Sequence, residues 1–171
     1  MKYQHFIFLL LLVVLSACKA DPKDDGQAST IDNTDFVASP VKPDLNSNTV
    51  QLLLSTFWVA EIWVNHADGS QNKPNKGRWW RFKDDGTFIT GQWDETLSHG
   101  VWVLYPDQDK VLLYLDAACA DLNMEFEVQQ ISGSGDYMSW VGTPTFKMSR
   151  IAVKAISLLT IPTKEQFGIK D

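Results

Sequence analysis

From about position 52 the chain places a bulky apolar residue at every second position. Trp58, Ala60, Ile62 and Val64 alternate with Phe57, Val59, Glu61 and Trp63, the period of a strand whose two faces meet different surroundings. A polar loop over 65–76, holding Gly69 and Pro74, leads to a second strand over 78–83. Asp84-Asp85-Gly86 is a tight hairpin turn, since glycine takes the positive φ that such a turn needs, and 87–93 returns as a third strand. Strands over 100–105 and 110–116 flank the turn Pro106-Asp107-Gln108-Asp109. Next, Leu122, Met124, Phe126 and Val128 alternate with Asn123, Glu125, Glu127 and Gln129. Gly133-Ser134-Gly135 turns the chain into 137–141, and Gly142-Thr143-Pro144 into a last strand over 145–151. Eight short strands separated by turn residues predict an all-β fold, an antiparallel up-and-down barrel. One segment reads differently: apolar positions 152, 155, 156 and 159 suit one face of a short C-terminal helix that Pro162 ends.

The alternation divides the large side chains between two faces. Trp58, Ile62, Trp80, Phe82, Phe88, Trp102, Leu113, Met124, Phe126, Met138, Trp140 and Phe146 fall on the side expected to face inward. Eight strands enclose a space that side chains fill or that holds one small ligand. These rings are therefore either a packed core or an aromatic pocket for a small apolar molecule. In the pocket reading, Trp80, Phe82, Phe88, Trp102, Phe126 and Trp140 are the ligand-binding residues. The other face also carries rings, among them Phe57, Trp63, Trp79, Trp93, Tyr105 and Tyr114. An apolar surface of that size calls for cover by the 152–161 helix, or for a protein or glycan partner.

The beginning of the chain has another pattern. Lys2 precedes an unbroken apolar run over 6–15, too short to span a bilayer as a helix, and the run ends in Leu15-Ser16-Ala17-Cys18. Residues 1–17 read as a secretory signal, and the tetrapeptide resembles the bacterial lipobox, after which Cys18 receives acyl chains such as palmitate. Two or three such chains hold a protein on a membrane persistently. This implies a lipoprotein of the cell envelope, anchored to the outer membrane and facing the periplasm or the cell surface. Residues 18–49 lack a hydrophobic period and are rich in Asp, Lys, Ser, Asn, Thr and Pro, as expected of a flexible tether. Within it, Lys23-Asp24-Asp25 either resembles a surface-export signal of Bacteroidetes lipoproteins or is simply a charged linker. The barrel domain is expected over 50–151, and the helix and tail over 152–171.

The net charge of −6 over 171 residues argues against nucleic acid as a partner. With Cys18 acylated, Cys119 is the only other cysteine, so a free buried thiol and no internal disulfide are expected.

The strand region resembles the lipocalin-like domains of Bacteroidetes lipoproteins. The resemblance is carried by Phe57-Trp58, by Phe82 and Asp85-Gly86-Thr87-Phe88, by Gly100-x-Trp102 with Leu104, and by Arg150. Thr56 stands where lipocalins carry glycine. The resemblance implies a binding or scaffold role. It also implies a structural cation–π pair, with Arg150 over Trp58 at the closed end of the barrel.

No catalytic constellation is evident, and neither a cofactor nor a metal site is expected. His66 and His99 lack a third ligand at metal spacing. Asp84 and Asp85 are explained by the turn, and Glu125 and Glu127 share one solvated face. Cys119 has no histidine paired with it in the pattern. The expected function is non-enzymatic binding of a small hydrophobic ligand at the open end of the barrel, or docking of a partner through exposed rings.

Overall fold

The structure, a computed structural model, describes residues 38–169. The signal segment, Cys18 and Lys23-Asp24-Asp25 lie outside the described residues.

A helix, α1 (Asn48–Ser55), precedes eight strands: β1 (Phe57–Asn65), β2 (Arg78–Phe82), β3 (Thr87–Gln92), β4 (Glu95–Asp107), β5 (Lys110–Ala117), β6 (Met124–Ile131), β7 (Tyr137–Gly142) and β8 (Ile151–Leu158). Each strand pairs antiparallel with the next, and β8 pairs with β1, closing an up-and-down barrel. The expected fold class holds.

The tight turn behaves as its residues require. Gly86 has φ +85°, and Asp85 accepts hydrogen bonds from Thr87 N at 2.8 Å and Thr87 Oγ1 at 2.6 Å. A Cβ on Gly86 would also lie 2.2 Å from the carbonyl oxygen of Val41, so the incoming chain adds its own demand for glycine here.

Two expectations about the end of the chain are corrected. Residues 145–151 are not the last strand: Thr145–Lys147 is a single 3-10 turn in the β7–β8 connection, with Phe146 at φ 54°. The expected helix over 152–161 is instead mostly β8, which pairs with both β1 and β7. Its run of Ala152, Val153, Ala155 and Ile156 satisfies a helical and a strand period at once. Closure decides the matter, because a helix there would leave two sheet edges with unpaired backbone groups. The one α-helix described lies instead before the first strand.

That helix closes one end of the barrel. Val50 and Leu53 are buried in the core. Trp58 Nε1 donates to the Leu52 carbonyl at 3.2 Å, and Arg81 Nη1 donates to the carbonyls of Leu54 at 2.8 Å and Thr56 at 2.9 Å. These bonds satisfy groups that a helix C-terminus leaves open and place a cation at its negative end. Thr56 shares a 2.8 Å hydrogen bond with Ser157.

β1 breaks its own alternation. Ala60 faces Ala155, but Ile62 already faces Lys154, so Glu61 is an extra residue in a β-bulge. Beyond it the faces exchange: Ile62, expected inside, is 49% exposed, and Trp63, expected outside, is 5% exposed and part of the core.

Candidate functional site

The six rings expected to line a pocket fill the barrel instead. Trp80, Phe82, Phe88, Trp102, Phe126 and Trp140 are all buried. Trp80 and Trp140 meet at 5.3 Å between centroids, Phe126 and Trp140 at 5.6 Å, and Phe82 and Trp102 at 5.2 Å. Small residues on the same inward columns make room: a Cβ on Gly100 would lie 2.6 Å from the ring of Phe88. The packed-core reading holds for this part of the interior.

Trp58 and Arg150 are not brought together. Trp58 is opposite Ser157 at the closed end, whereas Arg150 is exposed just before Ile151, which faces Asn65 at the open end. The arginine at the closed end is Arg81, whose guanidinium lies 5.5 Å from the ring centroid of Phe57.

At the open end the filling stops. A cavity of about 270 Å³ is floored by Trp63, Met124, Met148 and Ile151 and rimmed by Asn65, Gln71, Asn75, Asp121, Asn123 and Phe146, with Arg78 in its wall. Three connections build it: β1–β2, β5–β6 and β7–β8. Arg78 sits two and four residues before Trp80 and Phe82, so the β2 alternation carries it inward. Its guanidinium lies over Trp63 at 5.8 Å from the ring centroid. Neither Arg78 Nε nor Trp63 Nε1 has a hydrogen-bond partner, although both atoms are buried. The ion pairs among the described residues are Lys110–Glu127 and Lys154–Glu61, so Arg78 has no carboxylate partner there. Burial pulls its pKa down to about 10, which leaves it charged at neutral pH. The sequence signal for Arg78 was a cation in register with two inward rings.

The rim amides are already half used. Asn65 Oδ1 accepts from Ala67 N at 2.9 Å and Asp68 N at 3.1 Å, and Asn123 Oδ1 accepts from Ala117 N at 2.7 Å. Asn75 Nδ2 donates to the Gln71 carbonyl at 2.8 Å.

The outer face is covered by the protein's own chain. Trp79 is buried over Gly91, meets Phe57 edge-on at 5.5 Å, and donates from Nε1 to the Trp93 carbonyl at 2.8 Å. Trp93 lies over Gly77 and meets Phe167 of the C-terminal segment at 5.5 Å. Cover comes from the turn Glu165–Phe167, not from a helix. Further round, the Glu125 carboxylate accepts from Thr143 Oγ1 at 2.6 Å, Thr145 Oγ1 at 2.7 Å and Tyr105 Oη at 2.8 Å. Burial raises its pKa, but the three donors together outweigh burial and hold it below the ordinary carboxylate value.

Cys119 is disulfide-bonded, which corrects the expected free thiol. Among the described residues no group of three or more His, Cys, Asp or Glu side chains gathers as a metal site. No described helix is long and apolar enough to cross a membrane.

The fold and this cavity define the class of molecule: a closed, eight-stranded antiparallel barrel, aromatic within and with a cavity at one mouth. Comparison of the chain with protein-family models, with curated proteins and with solved structures finds no match.

Proposed function

We propose that the protein is an outer-membrane lipoprotein of the cell envelope, anchored through acyl chains on Cys18, and that its lipocalin-like barrel binds a small molecule at the open mouth without catalysing a reaction on it. The signal pattern ending at Cys18 supports the anchor. The cavity carries the binding reading: an apolar floor of Trp63, Met124, Met148 and Ile151 under a polar rim is the usual make-up of a small-molecule site. Its volume of about 270 Å³ lies just below the usual range for such sites, about 300–1,000 Å³, which suits a very small ligand. The ligand therefore sits on top of the aromatic filling rather than among Trp80, Phe82, Phe88, Trp102, Phe126 and Trp140.

Docking of a protein or glycan through exposed rings has less support. Trp63 and Trp79 are buried and Trp93 is half covered, so the three do not form one open patch.

Native mass spectrometry of the full chain extracted from its host tests the reading. A small-molecule adduct is expected on the wild type and is expected to be absent from Met148→Trp, whose indole fills the mouth. Repeated recovery of only the bare polypeptide, or an adduct that survives Met148→Trp in folded protein, sinks it.

A further inference from the structure

Most polar groups of the outer wall are already matched. Glu125 is held by three hydroxyl donors, Glu127 pairs with Lys110 at 2.8 Å, and Glu61 pairs with Lys154 at 2.6 Å. The mouth is different, because its buried unmatched atoms are both donors. Arg78 Nε and Trp63 Nε1 are buried donors without acceptors. Asn65 and Asn123 have committed their carbonyl oxygens to backbone N–H groups, so their NH2 groups are what they have left to offer. Within one cavity of about 270 Å³ the unmet capacity is therefore mainly to donate, around a cation with no ion-pair partner among the described residues.

We propose that the mouth recognises a small organic monocarboxylate, whose oxygens accept from the Arg78 guanidinium and from the rim amides of Asn65 and Asn123 while its apolar part rests on Met124, Met148 and Ile151. The inference rests on the mouth being the ligand site. Arginine presents a planar fork of donors that matches a carboxylate with two parallel bonds. Leaving such a charge half-buried and unpaired is costly, and an arriving anion relieves that cost. Asp121 on the same rim repels negative charge placed away from Arg78, which favours one carboxylate on the ligand over two. The closed floor and the aromatic filling limit length, so a long acyl chain has no shaft to enter.

The test follows the Trp63 indole N–H resonance of the full chain by ¹⁵N-correlated NMR, with the signal assigned through Trp63→Phe. Sodium benzoate and sodium glucuronate are titrated against their neutral counterparts, benzamide and methyl glucoside, and against inorganic phosphate. At least one carboxylate is expected to shift the resonance saturably and to bind about tenfold or more tighter than its neutral counterpart, the range for hydrogen bonds to charged groups. Arg78→Gln is expected to remove that preference, and Arg78→Lys to restore part of it. Arg78→Gln is also expected to melt no lower than the wild type, because it removes an unpaired cation; a purely structural arginine would lower the melting temperature when lost. Neutral molecules shifting Trp63 as well as the acids do, wild-type affinity in Arg78→Gln, or phosphate binding tightest would each overturn the carboxylate and leave the mouth as a site. Silence of Trp63 towards every compound would overturn both.

Discussion

Trp80 on β2 and Trp140 on β7 meet across the barrel, centroids 5.3 Å apart and planes at 64°, although their strands are not neighbours. This contact excludes a continuous shaft through the molecule. Trp140 Nε1 has no acceptor, so the ring serves by shape and not by hydrogen bonding. Trp140→Phe is expected to cost clearly less than Trp140→Ala, because it keeps a six-membered ring in the core and leaves a smaller cavity. Trp140→Ala is expected to cost about 3–5 kcal/mol. Urea unfolding midpoints of the two variants check this, and equal losses would contradict it.

Phe167 holds the C-terminal segment on the outer face through Trp93 and through Lys76, whose Nζ is 5.7 Å from the ring centroid and 3.3 Å from the Phe167 carbonyl oxygen. Phe167→Ala is expected to lose about 1–2 kcal/mol, given typical values for aromatic and cation–π contacts. Release of the segment exposes Trp93, so tryptophan emission should shift to the red in the folded protein. Unchanged emission would show that the segment does not cover that ring.

The Glu125 cluster gives stability a pH dependence at both ends. Glu125 has its folded pKa below the ordinary value of 4.5, so its contribution is complete above that pH and is lost as pH falls through the folded value. Tyr105 goes the other way: burial first, then its bond to Glu125, raise its pKa from 10.0 to about 12. Its contribution is full below pH 10 and is lost as pH rises towards 12. Tyr105→Phe is expected to flatten the alkaline fall, and Glu125→Gln the acid one. Unfolding midpoints measured across pH decide, and an acid limb of wild-type slope in Glu125→Gln would remove Glu125 as its source.

Cys119 reports on the anchor. The chain has two cysteines, and a sulfur that carries a diacylglyceryl thioether cannot also form a disulfide. Protein taken from the membranes of an acylating host should carry the added mass on Cys18, in which state a disulfide of Cys119 cannot be to Cys18 of the same chain. Membrane-derived protein without the lipid mass would refute the anchor.

Much of the fold was legible because strands of period two announce their faces. Trp80, Phe82, Phe88, Trp102, Phe126 and Trp140 all lie inside as their alternation requires. The turn at Gly86 was legible too. The cation–π pair was misplaced because a resemblance named an arginine near the last strand, while the strand itself begins one residue after Arg150. The candidate site was legible only in part. Arg78 stood in the inward column, but its lack of a partner depends on which loops meet above it.

The order of apolar and polar residues along the chain was enough to specify strands, most of their faces, and the barrel they close. The bulge at Glu61, the strand made of residues 151–158, the filled centre and the hollow mouth were decided in three dimensions. Alternation is a local property of neighbouring side chains. A change of register, the closure of two sheet edges and the pairing of a charge depend on residues far away in the chain.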